Sequence, residues 1–283
     1  MTRLLGWSAL SAAIAALALQ PLEPAHAANK ASSLQTVNGY ADLADLALGA
    51  PMVVEAEIRK TYRIKAKESP GIPAGHGRYL VTAEVVRLIS GRDALPSRIN
   101  YLVDVPFDSR GKLPKLKNEL ALLFLKRGQS PGQMVLTGPH SQIARTEEAA
   151  RTIRAILTEA NANPRRFKIT DVGDAFHVPG TIPGESETQI FLRTSDQRPV
   201  SLSVLRRPGE APKWSVSLDE MVDESSAPAG RDTLLWYRLA CFLPGQLPQS
   251  SVENASPDEA EAIRADYRFI LEQLGPCARQ IKP

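Results

Sequence analysis

The densest run of potentially reactive side chains is "GDAFHVPGTIPGESET", residues 173–188. Asp174, His177 and Ser186 are the residue types of a catalytic trio, in which an acid orients an imidazole and the imidazole activates a hydroxyl. Asp174, His177, Glu185 and Glu187 could instead offer nitrogen and oxygen to a metal. Neither chemistry has the motif that usually carries it. The chain contains no G-x-S-x-G elbow, no H-E-x-x-H and no C-x-x-C. Pro179-Gly180 and Pro183-Gly184 both suit type II turns, where proline sets the negative φ and glycine takes the positive one. The stretch is therefore expected to be a rigid corner between strands, with Asp174, His177 and Ser186 as secondary catalytic candidates and no metal site.

The other chemistry-bearing residues are sparse. His76 and His140 sit beside glycine or proline in expected loops. Gly71, Gly75 and Gly77 lack the spacing and the strand-to-helix context of a phosphate-binding loop, so no cofactor is expected. Asn254-Ala255-Ser256 matches a glycosylation acceptor. The run from Ser256 to Glu259 better fits a helix start, with serine as N-cap, Pro257 at N1 and Glu259 at N3.

The elements that must hold these residues begin after a leader. Arg3, an apolar run from Leu4 to Leu19, and Ala25-His26-Ala27 form the pattern of a secretory signal peptide, residues 1–27, removed after Ala27. The run is shorter than the roughly 20 residues that span a bilayer. No later segment is long and apolar enough to span one, so a periplasmic or secreted bacterial protein is expected, not membrane-spanning once the leader is gone. The remaining chain of about 250 residues suffices for one large domain or two small ones.

From 28 to 160 the chain reads as strands with flanking helices. Residues 41–50 form a short helix. In 53–65, Val54, Ala56, Ile58, Tyr62 and Ile64 alternate with Glu55, Glu57, Arg59, Thr61, Arg63 and Lys65, with Lys60 the one break. Period two predicts a half-buried strand. Tyr79, Val81, Ala83, Val85 and Ile89 define a second inward face, and Ile99, Tyr101, Val103 and Val105 a third. The segments 119–128 and 133–138 supply two more strands, and 146–160 a helix capped by Thr146. Five short strands in this space predict a small antiparallel barrel-like unit. The succession "LALGAPMVVEAEI", "LVTAEVVRLISG", "INYLVDV" and "KNELALLFLKR", residues 41–137, resembles small exported bacterial barrels of the OB and netrin-like, metalloproteinase-inhibitor-like type. The resemblance implies a barrel fold and a binding role, and assigns no site residue.

From 161 to 283, three alternating segments (188–193, 199–207 and 214–218) predict a β-meander packed with two C-terminal helices, 233–243 and 256–274. The fold class is thus α+β. Cys241 and Cys277 are the only cysteines, and an exported chain with two should bridge them. Each lies at the C-terminal end of its helix, so the helices should cross or run nearly parallel.

Charge divides unevenly. Residues 59–127 hold 15 Lys/Arg against 6 Asp/Glu, whereas the whole chain is only +3. Arg59, Arg63, Lys65, Lys115 and Lys117 are the candidate basic binding surface, for an anionic envelope component or another envelope protein; the alternative is a solvated surface whose charges partly pair with the chain's own acids. Nucleic acid is a poor partner for an exported chain with only 6% aromatic residues for stacking. These features favour a non-catalytic binding protein of the envelope. The alternatives are an exported hydrolase centred on His177 and a structural envelope protein without a small ligand.

Overall fold

A computed structural model describes residues 32–162, 167–218 and 227–281. The expected leader and residues 163–166 of the expected inter-half boundary lie outside the described residues. The fold is α+β, with two antiparallel sheets and four α-helices among the described residues.

The first sheet follows helix α1 (Tyr40–Gly49). It comprises β1 (Met52–Ile64), β2 (His76–Ser90), β3 (Arg98–Pro106), β4 (Leu120–Arg127), β5 (Met134–Leu136) and β6 (Gln142–Ala144). Its order is β3-β2-β1-β4-β5, with β6 also paired to β4. Three register shifts in the β1–β2 pair bend the sheet, as bulges do. Its concave side is filled by Val54, Ala56, Ile58, Val81, Ala83, Ile99, Tyr101 and Leu123, all buried. The expected barrel does not close among the described residues; the sheet curls and stays open. One of those shifts, between Ile58 and Lys60, also overturns the expected alternation at the end of β1. Tyr62, expected inward, is 64% exposed.

Helix α2 (Glu147–Ala162) follows, and Thr146 caps it: its hydroxyl accepts the Ala149 N–H at 3.0 Å. The second sheet has four strands, one more than expected: β7 (Ile169–Pro179), β8 (Ser186–Thr194), β9 (Val200–Arg206) and β10 (Lys213–Ser217), in the order β10-β9-β8-β7. Helices α3 (Leu234–Phe242) and α4 (Pro257–Leu274) complete the fold. Ser256 and Glu259 form the reciprocal capping box at the start of α4. No described helix is long and apolar enough to cross a membrane.

The two halves share a core. Val53, Leu122, Phe124 and Ile143, on the convex side of the first sheet, join one apolar cluster with the helices and the inner face of the second sheet. Residues from Ser32 onward form one compact unit. Because β1 is covered on both sides, Glu55 is buried rather than solvent-facing. Arg145 donates to its carboxylate at 3.0 Å and Arg154 lies 3.6 Å away, which compensates the buried charge.

Cys241 and Cys277 form the disulfide, with Cα atoms 4.9 Å apart. The helices do not run nearly parallel, one of the two arrangements expected above. Trp236 Nε1 donates to the Leu274 carbonyl at 2.8 Å, and the Tyr267 hydroxyl to that of Pro244 at 2.6 Å. These contacts run in opposite senses along α3 and α4. The bridge closes because the chain turns back after α4 at Gly275, whose φ is +68°. Cys241→Ser should lower unfolding free energy by about 3–4 kcal/mol in denaturant titrations, from the loop entropy of a 36-residue separation. A loss below about 1 kcal/mol would show that the bridge does little to restrict the unfolded chain.

Candidate functional site

The open side of the first sheet holds an apolar concavity. Its edges, β3 and β5, meet at one point: the Asn100 N–H donates to the Gly132 carbonyl at 2.8 Å, beside an isolated parallel bridge from Asn100 to Gln133. Gly132 has φ +73°, which glycine adopts without strain. Past this point the edges part. A groove of about 680 Å³ opens between Leu102–Pro106 of β3 and the segment from Leu136 to Gln142. That is within the size range of ligand sites, and its walls are mainly apolar, as such sites are.

The groove's polar groups are already arranged. Behind its lining residue Gln142, the buried Tyr101 hydroxyl donates to Gln142 Oε1 at 2.7 Å. Burial pushes the Tyr101 phenol well up, so it stays a neutral donor. Asp104 is gripped by Arg78 through two bonds of 2.6 and 2.7 Å. His76 Nδ1 donates to the Ala74 carbonyl at 2.9 Å, and His140 Nδ1 lies 3.1 Å from Gln35 Oε1. Two of the histidines therefore rim one groove, which nothing in their local sequence announces. The chain leading into α1 supplies another wall. The Gln35 carbonyl accepts the Ala144 N–H at 2.7 Å, and Leu34 is buried beside it.

The stretch 173–188 is not a corner but a hairpin, with β7 as its missed first strand. Only one Pro-Gly step makes the expected turn. Gly184 has φ +87° and the Glu185 N–H donates to the Ile182 carbonyl at 3.0 Å. Pro179 ends β7, and Gly180 donates to the Glu185 carbonyl at 2.7 Å without a positive φ. On the inner face, His177 Nδ1 lies 2.8 Å from the Thr188 hydroxyl. That hydroxyl donates to Asp266 Oδ2 at 2.5 Å, and Arg206 Nε donates to Asp266 Oδ1 at 2.8 Å. The Thr188 proton is thus committed to the carboxylate, so the hydroxyl accepts from the imidazole. A nucleophilic trio needs the imidazole in the middle and an accessible hydroxyl. Here the hydroxyl is in the middle and Thr188 is wholly buried.

Ser186 pairs with Pro179 and Arg206 in the sheet, and Asp174 is exposed on β7. No described hydrogen bond joins either to His177. Glu187 accepts from Gln189 at 3.1 Å, and no cluster of three metal-ligating side chains occurs among the described residues. The hairpin's outer face carries Phe176, packed edge-to-face on Phe191, with Val178 beside them.

The five basic candidates divide. Arg59 bonds to Glu57 at 2.5 Å and Glu84 at 2.8 Å, so its charge is spent within the sheet. Arg63 lies over the Phe107 ring at 5.8 Å. Lys65, Lys115 and Lys117 are exposed and carry no ion pair among the described residues. Asn118 N–H donates to the Ile58 carbonyl at 2.7 Å, which sets the Lys115–Lys117 segment beside β1.

The sequence matches no family model and no curated protein, so the site rests on its own chemistry.

Asp266→Ala removes a buried carboxylate, leaving the buried Thr188 hydroxyl without its acceptor and the part-exposed Arg206 without its partner, and should cost about 2–3 kcal/mol in denaturant unfolding. His177→Ala removes only the half-buried end of the chain and should cost about 1 kcal/mol. Equal losses would contradict this ordering.

Proposed function

We propose that this chain is an exported, non-catalytic binding or interaction protein of a bacterial cell envelope, built on an open sheet of the OB or netrin-like kind. One observation carries the reading: an apolar groove lies on the first sheet, and the polar side chains Asp104 and Gln142 that line it are already held by Arg78 and Tyr101. The leader pattern of 1–27 and the Cys241–Cys277 bridge both suit an oxidising compartment, periplasmic or extracellular. The partner is an anionic envelope component or another envelope protein, met by the exposed Lys65, Lys115 and Lys117. Hydrolysis at His177 has weaker support, because its hydroxyl partner is sealed in the core.

Retention on an anionic support should fall between 0.1 and 1 M salt, as the Debye length shrinks from about 10 to about 3 Å. The combined variant Lys65→Glu, Lys115→Glu, Lys117→Glu should be retained less at low salt. Retention unmoved by either treatment would refute a basic binding face. Crosslinking in intact cells separates a binder, which yields a discrete partner, from a structural protein, which yields only self-linked products.

A further inference from the structure

The hydrogen-bond parity of β3 says what the groove is shaped to take. In an antiparallel ladder, alternate residues turn their N–H and C=O groups to the neighbouring strand and the others turn theirs away. The Phe107 N–H donates to the Gly75 carbonyl at 3.0 Å, and the Ser97 carbonyl accepts from Val85 at 2.8 Å. Odd-numbered positions of β3 therefore face β2. Even-numbered positions face the seam, as Asn100 does when it donates to Gly132. By the same parity, the main-chain groups of Leu102 and Asp104 point into the groove. Among the described residues no ladder pairs β3 on that side, where only the isolated bridge at Asn100 lies, and Leu102 is 46% exposed.

These two amides, and the carbonyls between Asn100 and Pro106, are spaced about 7 Å apart along a line of roughly 20 Å. A ligand that satisfies them must repeat its acceptors and donors at the same interval, as an extended polypeptide does. A compact small molecule cannot span them, and an acyl chain would bury them unpaired, at about 1–3 kcal/mol each. The opposite wall, from Leu136 to Gln142, leaves an enclosed slot rather than an open edge. Pro106 has no N–H and ends the edge.

Charge selects among peptides. The ionisable residues of the groove are His76, His140 and Asp104, and Asp104 is already neutralised by Arg78. The surrounding stretch 59–127 is strongly basic. Building on the binding role proposed above, we infer that the seam takes one extended segment of a partner polypeptide, alternating apolar and acidic side chains, as an added strand on β3.

The probe is a short synthetic peptide in which valine and glutamate alternate, with binding followed by fluorescence anisotropy. Two isomers carry N-methyl groups on either the valine or the glutamate amides. One isomer should bind at least about tenfold more weakly than the parent, and the other should match it, because only one parity faces β3. Leu102→Pro deletes a seam-facing N–H without touching the β2 ladder and should weaken binding about tenfold, while Leu102→Val should not. Near-ultraviolet circular dichroism of both variants checks that they fold alike. A peptide with lysine for glutamate should bind at least about tenfold more weakly.

Equal binding of the two isomers overturns strand addition in favour of side-chain insertion alone. No binding of the parent peptide, or equal binding of the lysine peptide, overturns the occupant named here. Self-association that disappears in Leu102→Pro assigns the edge to a second copy, which also overturns it. Retention on the anionic support uses the exposed lysines and not the seam. Loss of peptide binding with retention intact therefore rejects strand addition alone, and the reverse rejects the basic face alone.

Discussion

One isolated bridge between Asn100 and Gln133, which includes the Asn100 N–H bond to the Gly132 carbonyl, sets how far the first sheet closes. It pins β3 to the turn before β5 at one end. Among the described residues no further bridge continues it, and β5 stops at Leu136 after three residues. The chain then turns, with the Ser141 N–H returning to the Gly138 carbonyl at 3.2 Å, and re-joins β4 as β6. The edge of β4 is thus shared by two short strands, and among the described residues neither forms a ladder with Leu102–Pro106. A curled sheet with one pinned corner and one open corner follows, and the groove is the open corner.

The rest of the molecule holds that sheet still. β4 and the first half of β1 are buried on both sides, so they cannot shift without disturbing two apolar clusters at once. Buried and half-buried acids tie distant segments together. Asp42 accepts the N–H groups of Gln280 and Ile281, at 3.0–3.1 Å, and Asp45 accepts from Arg279 and Tyr237. Both bind the C-terminal strand of chain to α1. Asp266 does the same between α4 and the second sheet. Burying a carboxylate is costly unless it is paired, so each of these contacts penalises any packing that would leave it alone. The disulfide secures the segment just upstream of the Asp42 and Asp45 contacts.

How far these features were legible in the sequence follows from how local they are. Ile99, Tyr101, Val103 and Val105 alternate cleanly because β3 has one buried face and no bulge, and all four are buried as expected. The caps at Thr146 and Ser256 depend on neighbouring residues and were readable for that reason. Tyr62 was misplaced because the register shift near Arg59 arises from pairing with β2, a non-local event. β7 was hidden by a shift between Val172 and Ala175 and by Phe176 and Val178 facing outward. The charge of Arg59 looked available until the ladder set Glu84 within reach. Asp266 left a signal that could have been noticed: a carboxylate on the stripe formed by Ile263, Tyr267, Ile270 and Leu274 must have a partner. The seam left none, because it depends on which residue of β3 meets which residue of the turn before β5.

The central claim is that β3 carries an unsatisfied edge inside the groove. Residue-resolved amide hydrogen exchange on the free protein tests it most directly. Amides within a ladder exchange slowly, and unpaired ones exchange fast. Tyr101 and Val103 should be strongly protected, while Leu102 and Asp104, between and beside them, should exchange at least about a hundredfold faster. Uniform protection across Tyr101, Leu102, Val103 and Asp104 would mean that the edge is already paired and the seam closed, which would contradict the account.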